Sequence, residues 1–479
     1  MKRPNVLFLL SDQHSPLTMS CADHPVVRTP HMDRLAREGM QLDAAYCPTP
    51  LCMPARVSLL CGRHAHNTGI LNNCGKIQAE PTVPQALRAA GYRTAVTGKI
   101  HFTQRGRPGS PECDDHLREL GFEDVLANLG KVAAAVSPAP DAYQAELRSK
   151  GVYEPFHDDY HARYHAGLPN WYCKTSTLDE HDYHDAYIGR LTRDWLAHYD
   201  DERPFFCWAN WGGPHMPWDA PGRYAQLYDP ADMDPPLPDP LDEAPADIRR
   251  KRDAAMAGMP PDVWETSGEP QPLTEDAWRR CRAHYYGMVN VVDDGIGAML
   301  DTLEQRGMLD DTLIVYTSDH GEMLYDRGLY GKQLMYEQSA RVPVLIRWPR
   351  GFEAADRNPA LMSTLDLMAT FLDVGHASMP VHHGRSLLPL LQGETVTHRE
   401  EVFCELGPEK MVRQGPWKYV YHPQREMQQL FHLEDDPDEL RNLSAAGTHR
   451  EQERLLRDRI LDWMIDTEPQ PHGVRRRVE

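Results

Sequence analysis

Apolar residues in this chain come in short unbroken runs separated by longer amphipathic stretches. Val6-Leu7-Phe8-Leu9-Leu10 is apolar at successive positions, so a strand there would be buried on both faces, as in a parallel sheet. Similar runs recur at 92–97, 205–211, 312–317 and 342–346. Between them the spacing predicts helices. One opens at Thr29-Pro30 with Leu35 and Met40 on its inner side, one covers 83–90, and a long amphipathic one covers about 275–305. Strands alternating with helices predict an α/β fold: a large, mostly parallel sheet flanked by helices. Ligands of such sheets gather beyond the carboxyl ends of the strands.

After about residue 395 the pattern changes to short strands at 402–404, 418–421 and 430–433, then a helix over 449–466. This predicts a small antiparallel α+β subdomain over 396–479, appended to a larger unit over 1–395. Two stretches interrupt the larger unit. Residues 106–190 are rich in His, Tyr, Asp and Trp, and 217–272 in Pro and acidic residues. Both are expected to be insertions or lids. No internal repeat is visible.

The chain has 479 residues, 41% of them hydrophobic and 25% charged, which is a globular composition with ample length for a core. A net charge of −20 argues against nucleic acid or an anionic membrane surface as partner. It leaves an anionic small molecule open, because a few cations in a pocket override the global field locally. No run is long enough to span a bilayer, and the first apolar run is too short for a signal peptide. Ten cysteines without a CxxC pair or regular spacing do not form a disulfide framework. A cytoplasmic protein with reduced, mostly packing thiols is expected. The tail Arg475-Arg476-Arg477 fits a contact in a homo-oligomer or a solvated end equally well.

Chemistry concentrates at Leu51-Cys52-Met53-Pro54-Ala55-Arg56. Proline is tolerated in the first helical turn, so a helix is expected to start near Cys52. Arg56 would share its face, and the positive helix end would point at the same spot. That makes an anion site with a reactive group inside it, or, more plainly, a buried thiol at a helix start. Asp12 closes the first strand, and Asp319-His320-Gly321-Glu322 follows the strand at 312–317. Carboxylates and an imidazole at strand ends suit a divalent metal. Gly98-Lys99-Ile100-His101 and Pro214-His215-Met216-Pro217 also follow strands, and Lys332 precedes Tyr336-Glu337 and Arg341-Val342-Pro343.

The C-x-P-x-R string at Cys52, continued to Cys61-Gly62-Arg63, resembles the signature of the type I sulfatases, members of the alkaline phosphatase-like superfamily. Gly98–His101, Pro214–Pro217, the Lys332 segment, Gly384-Arg385 and 417–443 resemble later landmarks of that family. The likeness spans about residues 4–445 and is weakest in the two insertions, where substrate choice would reside. It implies a catalytic domain over 1–395 and hydrolysis of small sulfate monoesters. It implies conversion of Cys52 by a maturase to Cα-formylglycine, whose hydrate attacks sulfur. Asp12, Asp319 and His320 are the implied ligands of one divalent ion touching residue 52, Ca2+ first and Mn2+ as the alternative. Arg56, Lys99 and Lys332 would balance charge, His215 would donate a proton to the leaving alcohol, and His101 would act as base. Asn73, with Asn72 as its competitor, and Gln13 would face the substrate; Gln13 stands where the family often has a second Asp. Trp171, Tyr172 and Trp218 fit either an aromatic cage for a quaternary ammonium, as choline sulfatase would need, or a lid core. The rival readings are a phosphonate monoester or phosphodiester hydrolase of the same superfamily, in which hydroxyl side chains tend to replace the Lys and His of G-K-x-H, and a non-catalytic metal-binding protein with Cys52 unmodified.

Overall fold

The computed structural model describes residues 3–75, 77, 81–102, 105–137, 141–165, 173–240, 243–257, 272–355 and 357–468. The apolar runs become strands β1 (Asn5–Asp12), β2 (Met40–Tyr46), β3 (Arg93–Lys99), β4 (Asp124–Asn128), β5 (Phe205–Pro214), β6 (Thr312–Ser318), β7 (Val344–Arg347) and β8 (Arg357–Ser363). They form one sheet in the order β4-β3-β5-β1-β6-β7-β2-β8. β7 runs antiparallel to both neighbours, and every other pairing is parallel.

The unbroken apolar character of β1 is explained by what covers it. Val6, Phe8 and Leu10 face one core, which includes Val57 and Leu60 of helix Cys52–Cys61, Leu87 of Val83–Ala89 and Phe371 of Leu365–Val374. Leu7 and Leu9 face the other, with Leu35 of helix Pro30–Arg37, Ile188 of His184–Ala197 and Val292 of Glu275–Gln305. Both faces are dry, so alternation is lost from the sequence.

Register then fixes where the chemistry lies. Asp12 pairs with Pro214, Ser11 with Ser318, and Gly98 with Asn210. The carboxyl ends of β1, β3, β5 and β6 therefore share one edge, which carries Asp12, Lys99, His215 and Asp319.

The C-terminal part is a second, antiparallel sheet of β9 (Glu401–Leu406), β10 (Glu409–Gln414), β11 (Trp417–Tyr421) and β12 (Gln429–His432). Helix Arg450–Asp466 covers it through Leu456, Ile460 and Trp463. Met40 is not on the inner side of a helix; it begins β2. The stretch 106–190 is largely helical and supplies the sheet's edge strand β4. Residues 258–271 of the second insertion and the Arg475–Arg477 tail lie outside the described residues. Among the described residues no helix is long and apolar enough to cross a membrane.

Candidate active site

Helix Cys52–Cys61 starts where expected and is buried along its whole length. A helix start leaves free N–H groups. Here Pro54 has none, and Met53 N–H donates to Asn73 Oδ1 at 3.0 Å. The last turn closes on Gly62, whose φ of 61° is one that glycine adopts without strain. The helix thus points its N-terminus, and Cys52, at the shared edge of the strands.

Cys52 Sγ lies 3.2 Å from His320 Nε2, 3.7 Å from Asp12 Oδ1 and 2.7 Å from Lys332 Nζ. The thiol also hydrogen-bonds the side chains of His101 and His215. Burial and Asp12 push its pKa up, but Lys332, His320 and the His101 hydrogen bond outweigh them and hold it well below the usual thiol range. Asp12 Oδ2 accepts from Lys99 Nζ at 2.5 Å and Arg56 Nη2 at 3.1 Å. Burial works against the Asp12 carboxylate; Lys99, His215, Lys332 and Arg56 together hold it ionised.

Arg56 shares the face of Cys52 but is committed elsewhere. Its Nε donates to Asp319 Oδ2 at 2.8 Å, Nη2 to Asp12, and Nη1 to Asn210 Oδ1 at 3.0 Å. It is fully buried and clamps the two carboxylates together. The His320 ring faces the Gly321 carbonyl with Nδ1 at 3.0 Å, which puts a proton on Nδ1 and turns Nε2 toward Cys52, Asp12 and Asp319.

Ligand atoms of Asp12, Cys52, Asp319 and His320 all lie within 4.8 Å of one another. Gln13 sits at a φ of 68°, hands its amide N–H groups to Glu322, and keeps Oε1 buried without a partner. Two carboxylates and one imidazole nitrogen beside Cys52 form a donor set that fits a hard divalent cation. Lys99, His101, His215 and Lys332 are thus brought around Cys52 and Asp12, whereas Asn73 meets the backbone of Met53 and Gln13 reaches Asp319 through its backbone N–H. Asn72 does neither: its Oδ1 closes a local turn onto Cys74 N. Trp218 is buried in core, and Trp171 and Tyr172 lie outside the described residues.

Three further residues shape the site in roles that were not assigned to them from the sequence. Asn210 stands in the middle of apolar β5 and holds Arg56; a lone amide in such a run was the available signal. Glu322 accepts from Gln13, Leu324 N and Gly331 N, and so fixes the turn that delivers Lys332. Asp185 Oδ1 accepts from Gly212 N and Gly213 N at 3.0 and 2.8 Å, just before His215.

The edge-of-sheet site, with a helix N-terminus, clustered cations and a metal-type donor set, defines an esterase-type hydrolase for an anionic ester. The family model described as Sulfatase matches residues 4–377, and that described as N-sulphoglucosamine sulphohydrolase, C-terminal, matches 325–465. The chain belongs to the sulfatase family and is a sulfuric ester hydrolase. It is 30% identical over 461 residues to a choline-sulfatase of Rhizobium meliloti, covering 92% of this chain and 82% of that one. It is 28% identical over 469 residues to an arylsulfatase of Clostridium perfringens, covering 95% and 93%. The solved phosphonate monoester hydrolase of Agrobacterium radiobacter superposes with a TM-score of 0.79 at 24% identity, covering 97% and 96%. The fold is the alkaline phosphatase-like one.

Proposed function

We propose that the protein hydrolyses sulfate monoesters to an alcohol and inorganic sulfate, with Cys52 converted to Cα-formylglycine and one divalent ion, Ca2+ before Mn2+, held by Asp12, Asp319 and His320. The observation that carries this reading is the position of the Cys52 side chain, between the metal-type donor set and Lys332. Its Sγ stands in for the oxygens that the hydrated aldehyde would carry. The hydrate supplies two hydroxyls on one carbon, one to attack sulfur and one whose deprotonation returns the aldehyde. The ion would supply Lewis acidity at that hydroxyl and at a sulfate oxygen.

The chain's own groups do the rest. Lys99 and Lys332 bring positive charge to the sulfo oxygens, and Arg56 keeps both carboxylates in place while adding its own. His215 keeps its Nδ1 proton on the Met216 carbonyl at 2.6 Å, so Nε2 is the atom turned to the reaction. Burial and Lys332 lower its proton affinity; an arriving sulfate anion restores it, and Nε2–H then protonates the leaving oxygen. His101 Nδ1 has no hydrogen-bond partner among the described residues, and Nε2 is the nitrogen to take the proton of the second hydroxyl. Asn73 and Gln13 border the sulfo group. The stretches 106–190 and 217–272 select the alcohol.

Intact mass of protein co-expressed with a maturase tests the nucleophile: a thiol-to-aldehyde mass loss located at residue 52 is expected. Kinetics test the ester. Nitrophenyl sulfate should have the higher kcat/KM, and a clear preference for a phenyl phosphonate monoester would install the phosphonate reading, which the fold alone also accommodates. Retained Lys99 and His101 favour sulfate.

A further inference from the structure

The proposed proton donor His215 is held from both sides by residues of the stretch 106–190. Ahead of it, Asp185 of helix His184–Ala197 accepts the Gly212 and Gly213 N–H groups. Behind it, Lys131 Nζ donates to the Pro217 carbonyl at 2.7 Å, to Asp219 Oδ1 at 2.5 Å and to Tyr183 OH at 2.9 Å. Asp219 in turn accepts from Tyr183 OH at 3.0 Å and, on Oδ2, from Tyr160 OH at 2.6 Å. Lys131, Asp219, Tyr183 and Tyr160 are all buried, and the three N–H bonds of the ammonium all end on protein oxygens.

A buried ion pair adds little net stability, because desolvation offsets most of its attraction; a closed one holds a geometry. The geometry held here is next to the reacting imidazole. The Pro217 carbonyl on Lys131 is one residue from the Met216 carbonyl, which accepts from His215 Nδ1 at 2.6 Å. The turn Leu129-Gly130-Lys131 meets the site in two other ways. The Leu129 carbonyl accepts from His184 Nε2 at 2.7 Å, beside Asp185. A Cβ on Gly130 would come within 3.1 Å of Lys99 Cε, so the missing side chain lets the Lys99 stem run past to Asp12.

We propose that Lys131 is a positioning residue: through the Pro217 carbonyl it sets the direction in which His215 Nε2 meets the leaving oxygen. This rests on the reading of His215 as the proton donor. Without Lys131 the imidazole stays in the site but its Nε2–H is misaimed, and a displacement of about 1 Å costs about 10²-fold. The cost falls on esters of weakly acidic alcohols, which need the proton in order to leave. A nitrophenolate leaves with little such help, so its ester is nearly indifferent to where His215 points.

The test measures kcat/KM per folded molecule of the full chain, co-expressed with a maturase, on substituted phenyl sulfates from nitrophenyl to methoxyphenyl. Lys131→Met alone strands the Asp219 carboxylate in the core, so the variant read is Lys131→Met with Asp219→Asn, which removes both charges together. It should stay within about 3-fold of the wild-type protein on nitrophenyl sulfate and fall about 10²-fold on methoxyphenyl sulfate. His215→Ala, run as the reference, should steepen in the same direction along the series. If its loss is equal for every ester, the assignment of His215 as donor fails and the role of Lys131 fails with it. If His215→Ala steepens but the double variant loses activity uniformly or not at all, His215 stands as donor and the role of Lys131 is overturned. A double variant that does not fold would overturn it as well, since the network would then be a folding element.

Discussion

Two buried charge clusters in this molecule use similar residues to opposite ends. Where the two sheets meet, the Glu337 carboxylate accepts from Tyr46 at 2.8 Å and from Lys418 Nζ at 2.8 Å. Lys418 Nζ also lies 2.7 Å from Glu439, whose other oxygen accepts Glu337 N–H at 2.7 Å. Each charge there faces an opposite charge within the protein, and the cluster joins β2 and β11. At the carboxyl edge of the main sheet, Arg56, Lys99 and Lys332 are set against Asp12, Asp319 and Cys52, and Gln13 Oε1 and His101 Nδ1 are buried without a hydrogen-bond partner among the described residues. Unpaired buried polar atoms are costly unless a ligand completes them. A closed cluster holds structure together, whereas an open one leaves room for the substrate and for the ion proposed above.

The comparison breaks first if the open cluster proves to be structural. Cys52→Ala should lower kcat by more than about 10⁴-fold, in keeping with loss of a nucleophile, with Tm nearly unchanged. A large loss of Tm in that variant would make the helix start a packing element. The converse experiment is Lys418→Met. It strands Glu439, leaves Glu337 only its weaker ionic contacts with Arg341 and Arg413, and should cost about 3–5 kcal/mol in denaturant unfolding, while kcat per folded molecule stays put. Lys332→Ala comes next: withdrawal of one preorganised cation should lower kcat about 10²–10³-fold.

Acid sharpens the contrast further. Burial raises the Glu337 pKa, but Lys418, then Arg341 and Arg413, bring it down to about 2, against an ordinary 4.5. Its folded pKa is depressed, so its contribution to stability is full above pH 4.5 and is lost as pH falls toward 2. Tm should therefore drop through that window. The drop should be smaller in Lys418→Met, where the main attraction is already gone.

How legible all this was depended on how local the cause is. The Cys52 helix start could be read because Pro54 and Arg56 act within one turn, and helix Glu275–Gln305 because its periodicity is long. β1, β5 and β6 could be read because burial on both faces leaves unbroken apolar runs. β2, β4, β8 and β10 were missed, β4 because its five residues lie in a stretch of weak periodicity expected to be an insertion. β2 has no β-branched residue, β8 carries Pro359 on an edge strand, where proline is tolerated, and β10 mixes charge with two apolar residues. Asp12, Asp319 and His320 could be placed at strand ends, but Arg56's commitment to both carboxylates depends on register between β1, β5 and β6. No local pattern encodes that register.

Asn73 tests the boundary between the two kinds of role at the smallest scale. Its Oδ1 holds the N–H of Met53, so part of its function is to cap the helix that presents residue 52. Loss of a cap costs about 1 kcal/mol, and Asn73→Ala should lower stability by that much. Asn73→Asp keeps an acceptor for Met53 and adds negative charge beside the sulfo group. If Asn73 only caps, the aspartate should restore both Tm and kcat/KM. If it also borders the substrate, Tm returns but kcat/KM falls further than in the alanine variant, because a carboxylate repels the sulfate that the amide tolerates. The second outcome is expected, since Met53 adjoins the proposed nucleophile and the capped N–H lies within the same turn. Unfolding curves and nitrophenyl sulfate kinetics on the three proteins separate the two.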